Sequence, residues 1–339
     1  MSSPRGARLA APVPLDQEWA LHAVGLVKNY SLGRSSAPVR ALDGLDLAVR
    51  PGEVFGLLGP NGAGKSTTVK VLTTLSRADS GTATVAGHDV RSEPDKVRHA
   101  IGLVPQRTSA APLMTGRESI ELAGRLFGQT RVVARARAAD LLDRFGLIDA
   151  ADRLTKTYSG GMARKLDVAI GLVNRPSVLF LDEPTTGLDP EARTEMWAEV
   201  ARMAREEQMT VLLTTHYLEE ADHLADRLAI VDHGRVVVEG TPDELKSELQ
   251  GDGVVVELVD PSRGEAALAL LSRLPELSDV TSLGRELRAR ADSGARAVLA
   301  VLASLEAAHI LVSAATVTRP SLDDVYLRHV GRTFEAVTA

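Results

Sequence analysis

The chain has 339 residues, enough for two domains or one large domain with an appendage, and 44% of them are hydrophobic, enough to bury a core. Asp and Glu outnumber Lys and Arg by 45 to 39, and the net charge of −6 argues against a dedicated nucleic-acid binder. There is no cysteine, which excludes disulfides and cysteine-based zinc sites and permits a reducing compartment.

Residues 1–20 have no apolar stretch of signal-peptide length and read as a loose tail of Pro, Ala and Ser. From Leu21 to Val54 the pattern alternates as strands do. EVFGLL (53–58) is a short apolar run, a buried strand that feeds LGPNGAGKST. KSTTVKVLTTL then has helical spacing, so strand, glycine loop and helix arrive in the order a phosphate-binding loop requires. GTATVAG (81–87) and IGLVPQ (101–106) read as further strands. From about 113 to 174 the signal is mainly helical, and SVLFLDEP (177–184) is a buried strand ending in two carboxylates. Residues 190–207 read as a helix with Pro190 in the favoured first position. TVLLTTH (210–216) is another buried strand, and 226–240 a hairpin turning at His233-Gly234.

After Gly251-Asp252-Gly253 the punctuation changes. Strands at 254–259, 277–283, 285–290 and 310–317 alternate with helices at 263–274 and 294–307, the βαββαβ order of a ferredoxin-like split unit. The window 297–317 is long enough to span a bilayer, but Glu306 and His309 sit at its centre, where ionisable groups are costly. It reads as a buried helix followed by a strand. The basic stretch RELRARADSGARA (285–297) reads as a solvated turn.

Three stretches carry chemistry. Gly59–Ser66 fits G-x-x-x-x-G-K-[ST]: Gly59, Pro60, Asn61, Gly62, Ala63 and Gly64 form a turn whose backbone N–H groups nest phosphate oxygens, Lys65 reaches the β- and γ-phosphates, and the Ser66 hydroxyl ligates Mg²⁺. VLFLDE (178–183) places Asp182 and Glu183 at the carboxyl end of a buried strand, Asp182 for Mg²⁺ through water and Glu183 as general base. Gln106 and His216 follow strands; the first can reach Mg²⁺ or the attacking water, the second the γ-phosphate, although a lone Gln or His at a strand end is more often merely solvated. YSGGM (158–162) opens a helix that Ser159 can cap, a second phosphate-facing helix start far from Lys65.

Gly59–Thr67, Gln106, Ser159-Gly160-Gly161, Asp182-Glu183, GLD at 187–189 and His216 occur in the order that resembles an ABC-transporter ATPase subunit, over residues 21–245. The resemblance implies an α/β P-loop NTPase with a RecA-like core, an antiparallel β subdomain and a helical subdomain near 107–175, spanning 21–250. An α+β accessory domain would follow at 251–339. It implies ATP and Mg²⁺ as cofactors, Tyr30 stacking on adenine, and a homodimer sandwiching two ATP molecules. Ser159, Gly160, Gly161 and Asp189 would then serve the nucleotide of the opposite subunit. The Tyr-Ser-Gly-Gly-Met helix start, the extension and RPSLDDVYLRHVG (319–331) are similar to the daunorubicin-resistance type of drug-efflux ATPase. That type works with a separate permease of about six spans, at the cytoplasmic side of the membrane, here engaged through 107–150. Met162 replaces a Gln that hydrogen-bonds the opposite ribose. An importer ATPase and a non-transport ABC protein are the alternatives. The βαββαβ extension disagrees with an importer's small β-barrel, and the interval 107–158 is too short for a repair protein's coiled coils.

Overall fold

The computed structural model describes residues 18–31, 38–249 and 251–331. Most of the N-terminal tail and the last residues of the extension therefore lie outside the described residues. The chain divides into two compact units at Pro242–Asp243.

In the first unit, β1 (Leu21–Tyr30), β2 (Val39–Val49), β4 (Ser80–Val85) and β5 (His88–Asp89) form an antiparallel sheet in the order β2-β1-β4-β5. The second sheet runs β10-β9-β3-β8-β7-β6. Its strands are β3 (Val54–Leu58), β6 (Ile101–Val104), β7 (Val178–Asp182), β8 (Thr210–Thr215), β9 (Arg227–Asp232) and β10 (Arg235–Gly240). All of its pairings are parallel except that of β9 with β10.

Both faces of this sheet are buried, so its central strands are continuous apolar runs with no polar side. Alternate residues serve different cores. Leu179, Leu181, Val211 and Leu213 join the helical side, while Val178, Phe180 and Leu212 join Phe55, Leu57 and the antiparallel sheet. The helical side is built by α3 (Gly116–Leu126), α4 (Arg131–Arg144) and α5 (Gly160–Gly171), through Ile120, Leu141, Leu142 and Leu166. Thr115 starts α3 with a reciprocal capping box to Glu118, which satisfies two otherwise unpaired amides. The remaining helices are α1 (Lys65–Leu72), α2 (Pro94–Ala100), α6 (Pro190–Glu207) and α7 (Leu218–Leu224).

The second unit starts with α8 (Pro242–Ser247). Leu245 and Leu249 are buried and Arg328 Nη1 donates to the Glu248 carbonyl at 3.0 Å, which ties this stretch forward in sequence. The break thus precedes the Gly251–Gly253 punctuation. Then come β11 (Asp252–Leu258), α9 (Gly264–Leu271), β12 (Ser278–Leu283), β13 (Glu286–Ala291), α10 (Gly294–Ala307), β14 (Val312–Thr318) and α11 (Leu322–Val330). The strand order is β12-β13-β11-β14, antiparallel throughout, as a ferredoxin-like unit requires. Val254, Val256 and Leu258 pack against Ala267, Leu271, Val301 and Leu305.

The basic stretch at 285–297 is not a solvated turn. Residues 286–291 are the inner strand β13 and 294–297 open α10, and the period-two spacing of β13 puts Arg288 and Arg290 on one face. There Arg288 pairs with Glu286 and with Asp323 at 2.8 Å, and Arg290, 93% buried, pairs with Asp324 at 2.9 Å. Among the described residues no helix is long and apolar enough to cross a membrane; the window at 297–317 is α10 followed by β14. Leu305→Ala should destabilise the second unit by about 2–5 kcal/mol, because it leaves a cavity between α10 and the sheet. Hydrogen exchange would show this as lost protection in β11 and β13 and unchanged protection in β3, β7 and β8.

Candidate functional site

The parallel strands β3, β8, β7 and β6 are neighbours, so the residues leaving their carboxyl ends meet along one edge. This is the edge at which open α/β sheets bind ligands. Leaving β3, the glycine loop folds tightly against the hairpin and β2. A side chain at Gly59 would meet the Val231 carbonyl at 2.3 Å. Gly64, at φ +115°, leaves only 2.6 Å between a Cβ and the Ala41 carbonyl. Only glycine fits these two positions. Gly64 is the N-cap of α1, and Lys65 and Ser66 are that helix's first residues.

Lys65 is buried. Its ammonium donates to the carbonyls of Gly59 at 2.6 Å and Pro60 at 3.0 Å and lies 3.9 Å from a Glu183 oxygen. Burial pulls the ammonium below the ordinary lysine range, while Glu183 and Asp182 pull it back up. Glu183 itself gathers the site. Its Oε2 accepts from Gln106 Nε2 at 2.8 Å and from Thr186 Oγ1 at 3.3 Å, and lies 3.2 Å from His216 Nδ1. Its backbone sits at φ +48°, a strained conformation for a side-chain-bearing residue. The Glu183 amide donates to both the carbonyl and the hydroxyl of Thr214, which holds it there.

Asp182 lies beside Thr214 in the register of β7 and β8. Its Oδ1 accepts from Thr214 Oγ1 at 2.6 Å and from Ser66 Oγ at 3.2 Å. A hydroxyl and a carboxylate converging this closely are the hard oxygen donors a magnesium ion takes, with water and phosphate completing its shell. Among the described residues there is no group of three or more His, Asp or Glu that could hold a metal by itself.

Lys65, Ser66, Gln106, Asp182, Glu183 and His216 are thus brought together. Asn61 and Gly62 are exposed beside them, and Thr67 continues α1. Two other features form a separate group. Ser159 caps α5 through Met162 N at 3.2 Å, and Asp189 caps α6 through Ala192 N at 2.9 Å. The two helix starts adjoin: a side chain at Gly161 would meet the Ala192 Cβ at 3.1 Å. Ser159, Gly160 and Asp189 are exposed, whereas the Met162 side chain packs against the helical core. Tyr30 ends β1, half-buried, with the Lys28 ammonium 5.5 Å from its ring.

Sequence reasoning passed over Arg164, one turn into α5 and buried. Its guanidinium donates to the carbonyls of Pro184 at 2.7 Å, Pro105 at 2.6 Å and Asp182 at 3.0 Å. One side chain therefore pins the segments that carry Gln106, Asp182 and Glu183 to the helix that Ser159 caps. Burial lowers its pKa, and Asp167, Asp182, Glu220 and Glu183 oppose that shift. Asp167, on the same helix, accepts from Ser109 N at 2.8 Å, Ser109 Oγ at 2.8 Å and Thr108 Oγ1 at 3.2 Å. A usable signal was present: Arg164 and Asp167 are opposite charges three apart on one helix face, leading into the apolar run Val168–Ile170.

The ABC-transporter family profile matches residues 42–186. The daunorubicin/doxorubicin resistance ATP-binding protein DrrA of Streptomyces peucetius is 49% identical over 313 residues, 92% of either chain. The linearmycin resistance ATP-binding protein LnrL of Bacillus subtilis is 37% identical, covering 86% of this chain and 93% of that one. Among solved structures, a dimeric ATP-binding cassette in a post-hydrolysis state, bound to ADP and Pi, superposes with a TM-score of 0.60 at 25% identity. It covers 65% of this chain and 98% of its own.

Arg164→Ala should destabilise the first unit by about 3 kcal/mol, since three buried carbonyls lose their donor. Arg164→Lys, which cannot fork to three acceptors, should recover only part of this in urea unfolding.

Proposed function

Because the chain belongs to the ABC-transporter ATP-binding protein family, we propose that it hydrolyses ATP to drive export of drugs, antibiotics or other hydrophobic compounds through a separate membrane permease. The observation that carries the reading is the convergence on Glu183 of Lys65, Gln106 and His216 at the carboxyl edge of the parallel sheet.

In this reading the loop amides of 59–67 cradle the phosphates and Lys65 turns from its own loop carbonyls to the β- and γ-oxygens. Ser66 and Asp182 hold Mg²⁺, whose charge, when bound, offsets that of the phosphates. Glu183 takes a proton from the attacking water, and Gln106 orients that water or meets the metal. His216, beside the same carboxylate, faces the γ-phosphate. Tyr30 stacks on adenine.

Ser159, Gly160, Gly161 and Asp189 stand apart as an exposed pair of helix starts. A second copy facing the other way brings them to the triphosphate held by the first, and a homodimer closes over two ATP molecules. With Met162 turned into the core, the opposite ribose loses a polar contact while the γ-phosphate contacts of Ser159 stay available. Closure works on the permease, at the cytoplasmic face of the membrane, through the α3–α4 region within 107–150. The second unit is a four-stranded sheet layered with helices rather than a small β-barrel, which favours the exporter reading over the importer one.

Glu183→Gln keeps the shape of the site and removes the base. It should lower ATP turnover by about 100-fold or more and leave an ATP-bound dimer that light scattering detects after gel filtration. Turnover within twofold of wild type would defeat the assignment.

A further inference from the structure

Glu220 is a fully buried carboxyl beside the site to which this mechanism gives no task. It lies in the first turn of α7, four residues after His216, with no exposed surface. Its Oε1 accepts two hydrogen bonds from different parts of the chain: Thr185 Oγ1 at 2.9 Å and Trp197 Nε1 at 3.2 Å. Oε2 is buried without a well-formed hydrogen bond, and the Thr215 hydroxyl lies near enough to the carboxyl to favour its charged form. Burial outweighs these donors and pushes the carboxyl above the ordinary glutamate range.

A buried carboxyl is costly and a core of this size does not need one for cohesion. What distinguishes this one is where its partners sit. Thr185 is two residues beyond Glu183, in the turn whose next residue, Thr186, donates to Glu183 Oε2. Thr215 immediately precedes His216. Trp197 lies on α6, the helix that Asp189 caps, and its ring also meets that of His223 of α7 in a tilted contact with centroids 4.9 Å apart. A second contact repeats the link: the Arg193 guanidinium of α6 lies 5.1 Å from the Tyr217 ring, which lies 4.2 Å from the His216 ring.

We propose that Glu220 is a positioning residue for ATP hydrolysis, its carboxyl fixing the Glu183–Asp189 loop against the segment that carries His216. The Glu183 carboxylate and the His216 ring then approach the same γ-phosphate from a set distance, and Asp189 keeps its place at the start of α6. Without Glu220, the Thr185 hydroxyl and the Trp197 indole N–H lose their acceptor and the loop can slide along the end of β8. The reactive groups would remain but their spacing would not, which is a defect of the chemical step and not of nucleotide binding.

This inference rests on the roles proposed for Glu183 and His216, and steady-state ATPase measurements on the full chain separate the two. Glu220→Ala should lower kcat by about 30-fold while the KM for ATP moves by less than about threefold. Glu220→Gln keeps an oxygen for Thr185 and Trp197 and should stay within about threefold of wild-type kcat. Thr185→Val should lose about tenfold in kcat, and combining it with Glu220→Ala should add little. A folded Glu220→Ala with kcat within about twofold of wild type, or a loss carried by KM, overturns the proposal. So does a Glu220→Gln as impaired as Glu220→Ala. Should Glu220→Ala not fold, Thr185→Val decides alone, and an unchanged kcat overturns the proposal. Glu183→Gln runs alongside: if it turns over normally the underlying reading fails, whereas an inactive Glu183→Gln with a normal Glu220→Ala removes only this inference.

Discussion

A buried ammonium and a buried carboxylate, Lys65 and Glu183, face each other across 3.9 Å at the open edge of a parallel sheet. Taking both charges out of water costs more than their attraction returns unless further hydrogen bonds complete them. Here Lys65 leans on two loop carbonyls, and the Glu183 carboxylate accepts from Gln106 and Thr186. Glu183 also carries backbone strain. Charges and strain of this kind persist where the surroundings over-determine them. The two apolar faces of the sheet, with Phe180 and Leu212 on one side and Leu179 and Leu213 on the other, supply that rigidity.

The same economy explains the arrangement of the rest of the first unit. The phosphate loop, the two carboxylates, Gln106 and His216 each follow a different strand, and parallel pairing alone brings them to one edge. Ser159–Gly161 and Asp189 also adjoin each other, but as exposed helix starts whose polar groups cap only their own helices. Arg164 joins the two groups rigidly, through three carbonyls, so a force on α5 reaches the Asp182–Glu183 segment without a flexible joint. That coupling is what a transporter's ATPase needs, since hydrolysis must be felt at a distance from the phosphate.

Contiguous features were legible in the sequence. The glycine loop, the Asp182-Glu183 strand end, the His233-Gly234 turn, the cap at Ser159 and the helix start at Pro190 each depend on neighbours within a few residues. The βαββαβ order of the extension was also legible, because period-two and period-3.6 patterns alternate cleanly there. What stayed hidden depends on long-range contacts. Arg164, Thr214 and Glu220 look ordinary until residues 18 to 59 positions away are placed beside them. Arg288 and Arg290 looked solvated because their partners Asp323 and Asp324 lie on α11, a helix not anticipated behind the Pro-Ser-Leu-Asp-Asp motif. The unit boundary was misjudged for the same reason: α8 looks like the end of one unit until Leu245 and Leu249 are seen to be buried with the other.

The central claim is that the triphosphate held by one subunit is completed by the Ser159 helix of another. A structure of the Glu183→Gln protein with Mg²⁺ and ATP tests it most directly. The account predicts a two-fold dimer with Ser159 Oγ of one copy about 3 Å from the γ-phosphate bound at Lys65 of the other. A monomer, or a dimer in which Ser159 lies far from any bound triphosphate, would contradict it.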